Sequence, residues 1–443
     1  MARILVVEDD SSVRNTVVTF LELESYAVEA VSSTRDALAR LQANPYDIVI
    51  SDIYLDERTG LDVLHAAKGA NPNSVVILMT GRGTMETVMR ATQGGAFDYI
   101  AKPFELDRLL ETVKRAEAFL AGTVENSDDE DIEIDDLPET EMIASSPVMI
   151  DIYKLISRIA PTDVSVLIEG ETGTGKELIA RMIHRYSPRA DRPFIAVDCG
   201  AIAPTLVESE LFGALRGAYT GSDRDRVGYF EAANHGTVLL DEIGEIDGAF
   251  QLKLLRFLQE REIRPVGSTR SRVIDVRVIA ATNCDLQKLV AEGEFREDLW
   301  YRLATVPIKV PPLRERRSDI PLLAQHFTER SNSRFGTDAR LTESGVRALT
   351  EHTWPGNVRQ IQHLLERLCI LTPNGRVDEA AVRAALQTLQ PKENGGETLA
   401  DTEAEQIRRV LAAAGGNKSR AARILGIERK TLYRKLERMG LHQ

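Results

Sequence analysis

Three acidic side chains, Glu8, Asp9 and Asp52, each stand just behind a short apolar run, and Thr80 and Lys102 close two further runs in the same way. Carboxylates brought together repel one another and raise their own pKa values unless a cation joins them, and a hard, oxygen-ligated Mg2+ suits such a set. With that metal held by Glu8, Asp9 and Asp52, the Asp52 carboxylate can attack a phosphoryl group. Lys102 can then balance the incoming charge, and Thr80 can hydrogen-bond a phosphoryl oxygen.

A second group handles phosphate differently. Residues 164–168 read as a buried strand, and Gly170, Glu171, Thr172, Gly173, Thr174, Gly175 and Lys176 follow as a glycine-rich turn before a helix over 177–186. Backbone N–H groups at a helix start cradle phosphates and Lys176 reaches the terminal ones, which predicts a ligand with a chain of phosphates. Glu177 stands where phosphate-loop enzymes usually carry a Ser or Thr for Mg2+. The apolar run 236–240 delivers Asp241, suited to hold Mg2+ through water, and Glu242, suited to orient the attacking water. Another run, 279–282, ends at Asn283; Arg296 and Arg302 lie six residues apart, and Arg359 follows Trp354-Pro355-Gly356-Asn357-Val358. Between the glycine turn and Asp241 lies Gly217-Ala218-Tyr219-Thr220-Gly221-Ser222. One ring and one Thr among residues with little packing surface read as a loop tip offered to a partner.

These groups need elements to place them. Over the first 120 residues, the runs 4–7, 47–50, 75–79 and 99–101 alternate with helical patterns. Such alternation predicts a parallel sheet with helices on both faces, its strand ends sharing one edge. From 142 to about 311 the alternation resumes on a larger scale, and 313–389 reads as mostly helical. Between the two α/β regions, 125–141 holds ten acidic residues and no Lys or Arg, which predicts a solvated linker over 122–141. A polar break at 391–398 precedes a last region, 399–443, with two helical patterns, 418–425 and 428–439, joined at Gly426. The net charge of −13 conceals eight basic and two acidic residues from Gly415 onward. Local charge governs attraction to phosphate, because charges beyond roughly 8 Å are screened at physiological salt. In the final helix Leu432, Leu436 and Met439 form a packing face, while Lys430, Arg434 and Arg438 form a face for nucleic acid. The apolar runs are far shorter than the roughly 20 residues a membrane helix needs. The first residues lack the apolar region of a signal peptide, and Cys199, Cys284 and Cys369 are far apart, so a soluble cytoplasmic protein with reduced thiols and no membrane partner is expected.

Residues 1–121 resemble the flavodoxin-like receiver domain of two-component response regulators. The match rests on Val6-Val7-Glu8-Asp9, Asp52 with Gly60 eight residues on, Thr80-Gly81, and Asp98-Tyr99-Ile100-Ala101-Lys102-Pro103-Phe104. The resemblance implies that a histidine kinase phosphorylates Asp52, that Tyr99 changes rotamer with Thr80, and that Lys102-Pro103 is cis. Residues 142–311, with a helical lid over 312–390, resemble the AAA+ P-loop ATPase of bacterial enhancer-binding proteins. That likeness implies Asn283 as sensor I, Arg359 as sensor II, and Arg296 and Arg302 as arginine fingers reaching a neighbour's nucleotide. A homo-oligomer follows, from dimer to a hexamer or heptamer ring. Residues 217–222 resemble the GAFTGA loop that such proteins turn on RNA polymerase carrying sigma-54. Tyr219 replaces Phe, Ser222 replaces Ala, and Ala214 and Leu215 stand where His or Tyr and Glu are usual. Asp198 stands where the family often has Asn, implying repulsion of Glu242. Residues 399–443 resemble the all-α Fis-type helix-turn-helix, implying contacts from Arg429, Lys430, Thr431 and Arg434 to double-stranded DNA. The whole order resembles the NtrC-type response regulators, which implies a phosphorylation-controlled, ATP-driven activator of sigma-54 transcription. The sequence also leaves open a phosphorylated DNA-binding regulator that does not engage sigma-54, and an ATPase of another kind such as a chaperone or replication loader.

Overall fold

The computed structural model describes residues 2–55, 59–81, 83–122, 142–203, 206–217, 225–372, 375–389 and Leu432. The chain divides into two units, residues 1–379 and 380–443. In the second unit the described residues are the remainder of helix Glu379–Leu389 and the helical, buried Leu432.

Strands Arg3–Val7, Ile48–Asp52 and Val75–Thr80 are rich in Val and Ile and are almost wholly buried. Branched apolar side chains on both faces suit a parallel sheet covered on both sides. The five-stranded sheet runs Ala27–Val31, Arg3–Val7, Ile48–Asp52, Val75–Thr80, Asp98–Ala101, all parallel, which is the flavodoxin-like order. Helices Ser11–Leu23 and Leu106–Leu120 pack on one face with Ile4, Val6, Ile48, Ile50 and Ile77. Each such side chain, fully buried, contributes about 1.5–3 kcal/mol. Local signals start the helices: Asp10 accepts from the N–H groups of Ser12 and Val13, and Ser33 from that of Asp36.

The second sheet is also five-stranded and parallel, in the order Val306–Lys309, Val166–Glu169, Arg277–Thr282, Thr237–Asp241, Phe194–Asp198. The strand feeding the glycine turn lies inside the sheet, with the Asn283 strand beside it and the Asp241 strand next. Helices Ile320–Phe335, Glu343–Glu351 and Asn357–Leu371 follow, the last two joined through Trp354, fully buried with its indole N–H on the Leu349 carbonyl at 2.7 Å.

The first sheet and the ATPase region meet. One continuous apolar cluster runs from Leu5, Val88, Met89 and Tyr99 to Met149, Ile152 and Tyr153 of helix Pro147–Ile159. Helices Met85–Gln93 and Pro147–Ile159 pack together, and strand Gly83–Thr84 pairs antiparallel with Ile143–Ala144.

Candidate functional sites

The edge of the first sheet gathers the residues expected there. Glu8 and Asp52 are buried and Asp9 is exposed, and one carboxylate oxygen from each lies within 4.8 Å of the others. Lys102 Nζ donates to Glu8 Oε2 and Asp52 Oδ2, both at 2.5 Å, and its backbone N–H bonds the Thr80 carbonyl at 2.6 Å. Burial pushes the Glu8 carboxyl up, against the lowering effect of Lys102, and Asp52 adds to the rise. Desolvation therefore leads, rather than the mutual repulsion expected from the sequence. Burial also works against the Lys102 ammonium, but Asp52 and Glu8 outweigh it and hold the group above its ordinary value. The second oxygen of Glu8 is buried without a hydrogen bond. An unsatisfied buried carboxylate oxygen beside two more acidic groups fits a hard divalent cation. Tyr99 is 3% exposed, with its hydroxyl 3.3 Å from Thr87 Oγ1 and also hydrogen-bonded to Thr80. Lys102-Pro103 is cis. Gly60 has a steric reason: a Cβ there would lie 2.1 Å from the Asp52 carbonyl oxygen.

The second site is built at the end of strand Val166–Glu169. Gly173 and Gly175 take φ of 79° and 104°, a conformation other residues rarely adopt, and helix Lys176–Arg185 begins at once. Thr174 closes the turn through its hydroxyl onto the Glu171 carbonyl at 2.7 Å, and Lys176 Nζ bonds the Gly170 carbonyl at 2.9 Å and lies 3.9 Å from Glu242. Asp241 ends its strand, and Glu242 follows in the left-handed region at φ 52°. Asn283 joins the parts: its N–H donates to Glu242 Oε2 at 3.2 Å and its side-chain amide to Thr172 Oγ1 at 3.3 Å. Burial raises the Glu242 carboxyl; Lys176 and the Asn283 N–H oppose this, while Asp241 and Glu245 add to it. The Asp198 carboxylate accepts from the N–H groups of Gly200 and Ala201, because the chain turns there. Glu177 points outward and pairs with Arg181 at 2.6 Å. Arg359, exposed in the first turn of its helix, reaches the glycine turn through its N–H on the Gly173 carbonyl at 3.3 Å.

Other expected residues are not brought to this cluster. Arg296 caps the start of helix Glu297–Leu303 and Arg302 lies in its last turn, both exposed, Arg296 forming two bonds to Asp298 at 3.0 and 2.7 Å. Gly217 is in the left-handed region at φ 77°, whereas Ala218, Tyr219, Thr220, Gly221 and Ser222 lie outside the described residues. The base of that loop is fixed: Ala214 exchanges backbone bonds with Arg226 at 3.0 and 2.8 Å, and Leu215 N–H bonds the Val266 carbonyl at 3.0 Å. Arg429, Lys430, Thr431 and Arg434 also lie outside the described residues.

Three polar residues carry roles the sequence did not disclose. Asn357, fully buried, donates to the Glu171 carboxylate and Thr172 carbonyl, both at 3.1 Å, and accepts from Leu313 N–H at 2.8 Å. Arg314 grips Glu171 at 2.6 and 2.9 Å and, by that bond first, holds its carboxyl below the usual range. Arg316, 4% exposed, donates to the Thr174 carbonyl at 2.9 Å. Only the Trp-Pro-Gly-Asn run marked any of them in advance.

Comparison with known proteins accounts for this geometry. Residues 4–114 match the response regulator receiver domain, 142–309 the sigma-54 interaction domain, 314–398 the AAA+ ATPase lid domain, and 398–439 the Fis-family bacterial regulatory protein. The transcriptional regulatory protein ZraR of Salmonella typhimurium is 42% identical over 439 residues, covering 98% of each chain. The C4-dicarboxylate transport transcriptional regulatory protein DctD of Rhizobium meliloti is 40% identical over 444 residues, 99% of this chain and 95% of that one. Among solved structures, NtrX from Brucella abortus in complex with ADP is 33% identical over 99% of both chains, with a TM-score of 0.53. The chain thus belongs to the NtrC-type response regulators: it is a phosphorylation-regulated activator of sigma-54 transcription in which a receiver, an AAA+ ATPase and a Fis-type helix-turn-helix follow one another.

Proposed function

We propose that a histidine kinase phosphorylates Asp52, that phosphorylated chains assemble into an AAA+ ring, and that ATP hydrolysis there moves the Tyr219-Thr220 loop against sigma-54. The observation that carries the reading is the convergence of Lys176, Glu242, Asn283 and Arg359 on one glycine turn. In the receiver, Asp52 attacks phosphorus, the bond to the kinase histidine breaks, and Lys102, already shared between Asp52 and Glu8, turns its charge to the new phosphoryl oxygens. Glu8, Asp9 and Asp52 would hold Mg2+, which neutralises phosphoryl charge when bound. In the motor the turn 170–175 cradles ATP and Lys176 faces its terminal phosphates. Glu242, tied to Asn283, orients the attacking water; Asp241, at the neighbouring strand end, would hold Mg2+ there.

Arg296 and Arg302, exposed on one short helix, serve the neighbouring subunit's ATP, so turnover needs the ring. Arg429, Lys430, Thr431 and Arg434 hold the assembly to DNA. Domain limits at 121, 141, 311, 390 and 398 follow the composition breaks of the sequence. Among the described residues no helix is long and apolar enough to cross a membrane, which supports placing the protein in the cytoplasm.

Capture of sigma-54 by the full chain with an ATP transition-state analogue tests the loop assignment. Retention by the native chain and loss in Thr220→Ala, with ATP binding unaltered, is the expected result. Equal retention by both would remove the loop from the account.

A further inference from the structure

Between the receiver and the phosphate turn lies a buried polar hub that neither site uses. Asp319 is fully buried and accepts from the N–H groups of Ser145 and Ser146, both at 2.6 Å, and from the Ser146 hydroxyl at 2.8 Å. Arg316, three residues earlier, is buried as well; its carbonyl accepts the Asp319 N–H at 2.9 Å and its guanidinium donates to the Thr174 carbonyl inside the glycine turn. A buried guanidinium bonded to a backbone carbonyl fixes that carbonyl, because breaking the bond leaves a buried donor unsatisfied.

On its other side the hub runs straight into the receiver. Ser145 and Ser146 directly continue strand Ile143–Ala144, which pairs with Gly83–Thr84, in the register Gly83 with Ala144 and Thr84 with Ile143. That receiver strand lies a few residues beyond Thr80, whose hydroxyl is expected to meet the phosphoryl group. The contact is held further by Asp98, which pairs with both Arg115 of the receiver and Lys154 of the docking helix, and by Arg108 with Asp151 at 3.2 Å. Met142, at the head of the same strand, lies beside the glycine turn, its Cε 3.9 Å from where a Cβ on Gly175 would stand.

We infer that Arg316 is a positioning residue for the phosphate turn, and that the receiver sets it through the Gly83–Thr84 pairing with Ile143–Ala144 and the bonds of Ser145 and Ser146 to Asp319. The inference rests on the proposed phosphorylation of Asp52. The strands are paired while Lys102 is shared by Glu8 and Asp52. Phosphorylation draws Thr80 and Lys102 to the phosphoryl group, loosens the strand pairing, and frees Ser145 and Ser146 to shift Asp319 and Arg316. The position of the Thr174 carbonyl then changes, and with it the affinity for ATP.

A staple tests the coupling. Thr84→Cys with Ile143→Cys places two thiols at directly paired positions of an antiparallel ladder, where a disulfide can close. In the full chain, beryllofluoride with Mg2+ is expected to change the Kd for a non-hydrolysable ATP analogue, read by equilibrium binding, by about fivefold or more when the pair is reduced. The oxidised chain is expected to stay at its unmodified Kd, and reduction to restore the response. The native chain, taken through the same oxidation, controls for Cys199, Cys284 and Cys369. An oxidised chain that responds like the reduced one overturns the inference. Arg316→Lys and Arg316→Met separate positioning from mere packing. The Met variant is expected to lose the affinity response while Lys restores part of it, and a full response in both overturns the role of Arg316. Should Asp52→Asn also respond to beryllofluoride, the phosphorylation reading fails instead.

Discussion

The receiver and the motor both bind phosphoryl groups, yet they are built in opposite ways. The receiver site is made of side-chain charge, Glu8, Asp9, Asp52 and Lys102, all from strand ends of one sheet. The motor site is made of backbone, the turn at Gly173 and Gly175, with carboxylates brought from the end of the Asp241 strand, two along in the sheet, and a backbone contact from the lid helix that starts at Asn357. A site drawn from one sheet is complete in one chain. A site drawn from sheet and lid, with Arg296 and Arg302 facing outward, is in the proposed ring completed by another subunit.

The largest effect that can break this contrast concerns the outward arginines. Arg302→Ala is expected to lower ATP turnover about 1000-fold, since an arginine finger is worth at least that much. Mixing it with Lys176→Ala chains should recover part of the rate, because each variant supplies what the other lacks; assembled mixtures with no recovery would make the motor site as self-contained as the receiver. Next comes Glu242→Gln, for which kcat should fall about 100-fold or more with little change in the KM for ATP. A proportional rise in KM would instead make Glu242 a binding group. In the receiver, Asp52→Asn should leave the ATPase of the full chain unresponsive to beryllofluoride, where the native chain shifts about fivefold or more.

The smallest effects are thermal. Mg2+ at 100 times its Kd should stabilise the receiver by about 2.7 kcal/mol, read as a rise in its Tm, and Asp9→Asn should diminish the rise. The motor has a dependence of its own on acid. His184, 7% exposed and bonded through Nδ1 to Thr237 at 2.9 Å, is held below its ordinary value of 6.5, chiefly by burial. The unfolded chain then takes up the proton first, so motor stability is present above 6.5 and falls as the pH drops from there toward the lower folded value. His184→Gln should flatten that slope, and an unchanged slope would locate the acid sensitivity elsewhere.

What could be read in advance follows from locality. A glycine turn after an apolar strand, or a polar residue closing each strand, announces itself within a few residues, so both phosphoryl sites were legible. Strand Ala27–Val31 was not marked by an apolar run, because as an edge strand it is only partly buried and carries Glu29. The hub was hidden for a different reason: Arg316 meets Thr174 across 142 positions and Asp319 meets Ser146 across 173. Buried polar groups take their meaning from partners, and these partners adjoin only after folding.

The central claim is that hydrolysis at the motor site, set by the receiver, opens promoter DNA for sigma-54 polymerase. Permanganate footprinting of a sigma-54 promoter, with the purified full chain, beryllofluoride and polymerase, tests it directly. Unpaired thymines are expected with ATP and the native chain, and not with Lys176→Ala or a non-hydrolysable ATP analogue. Equal melting under all three conditions would contradict the account.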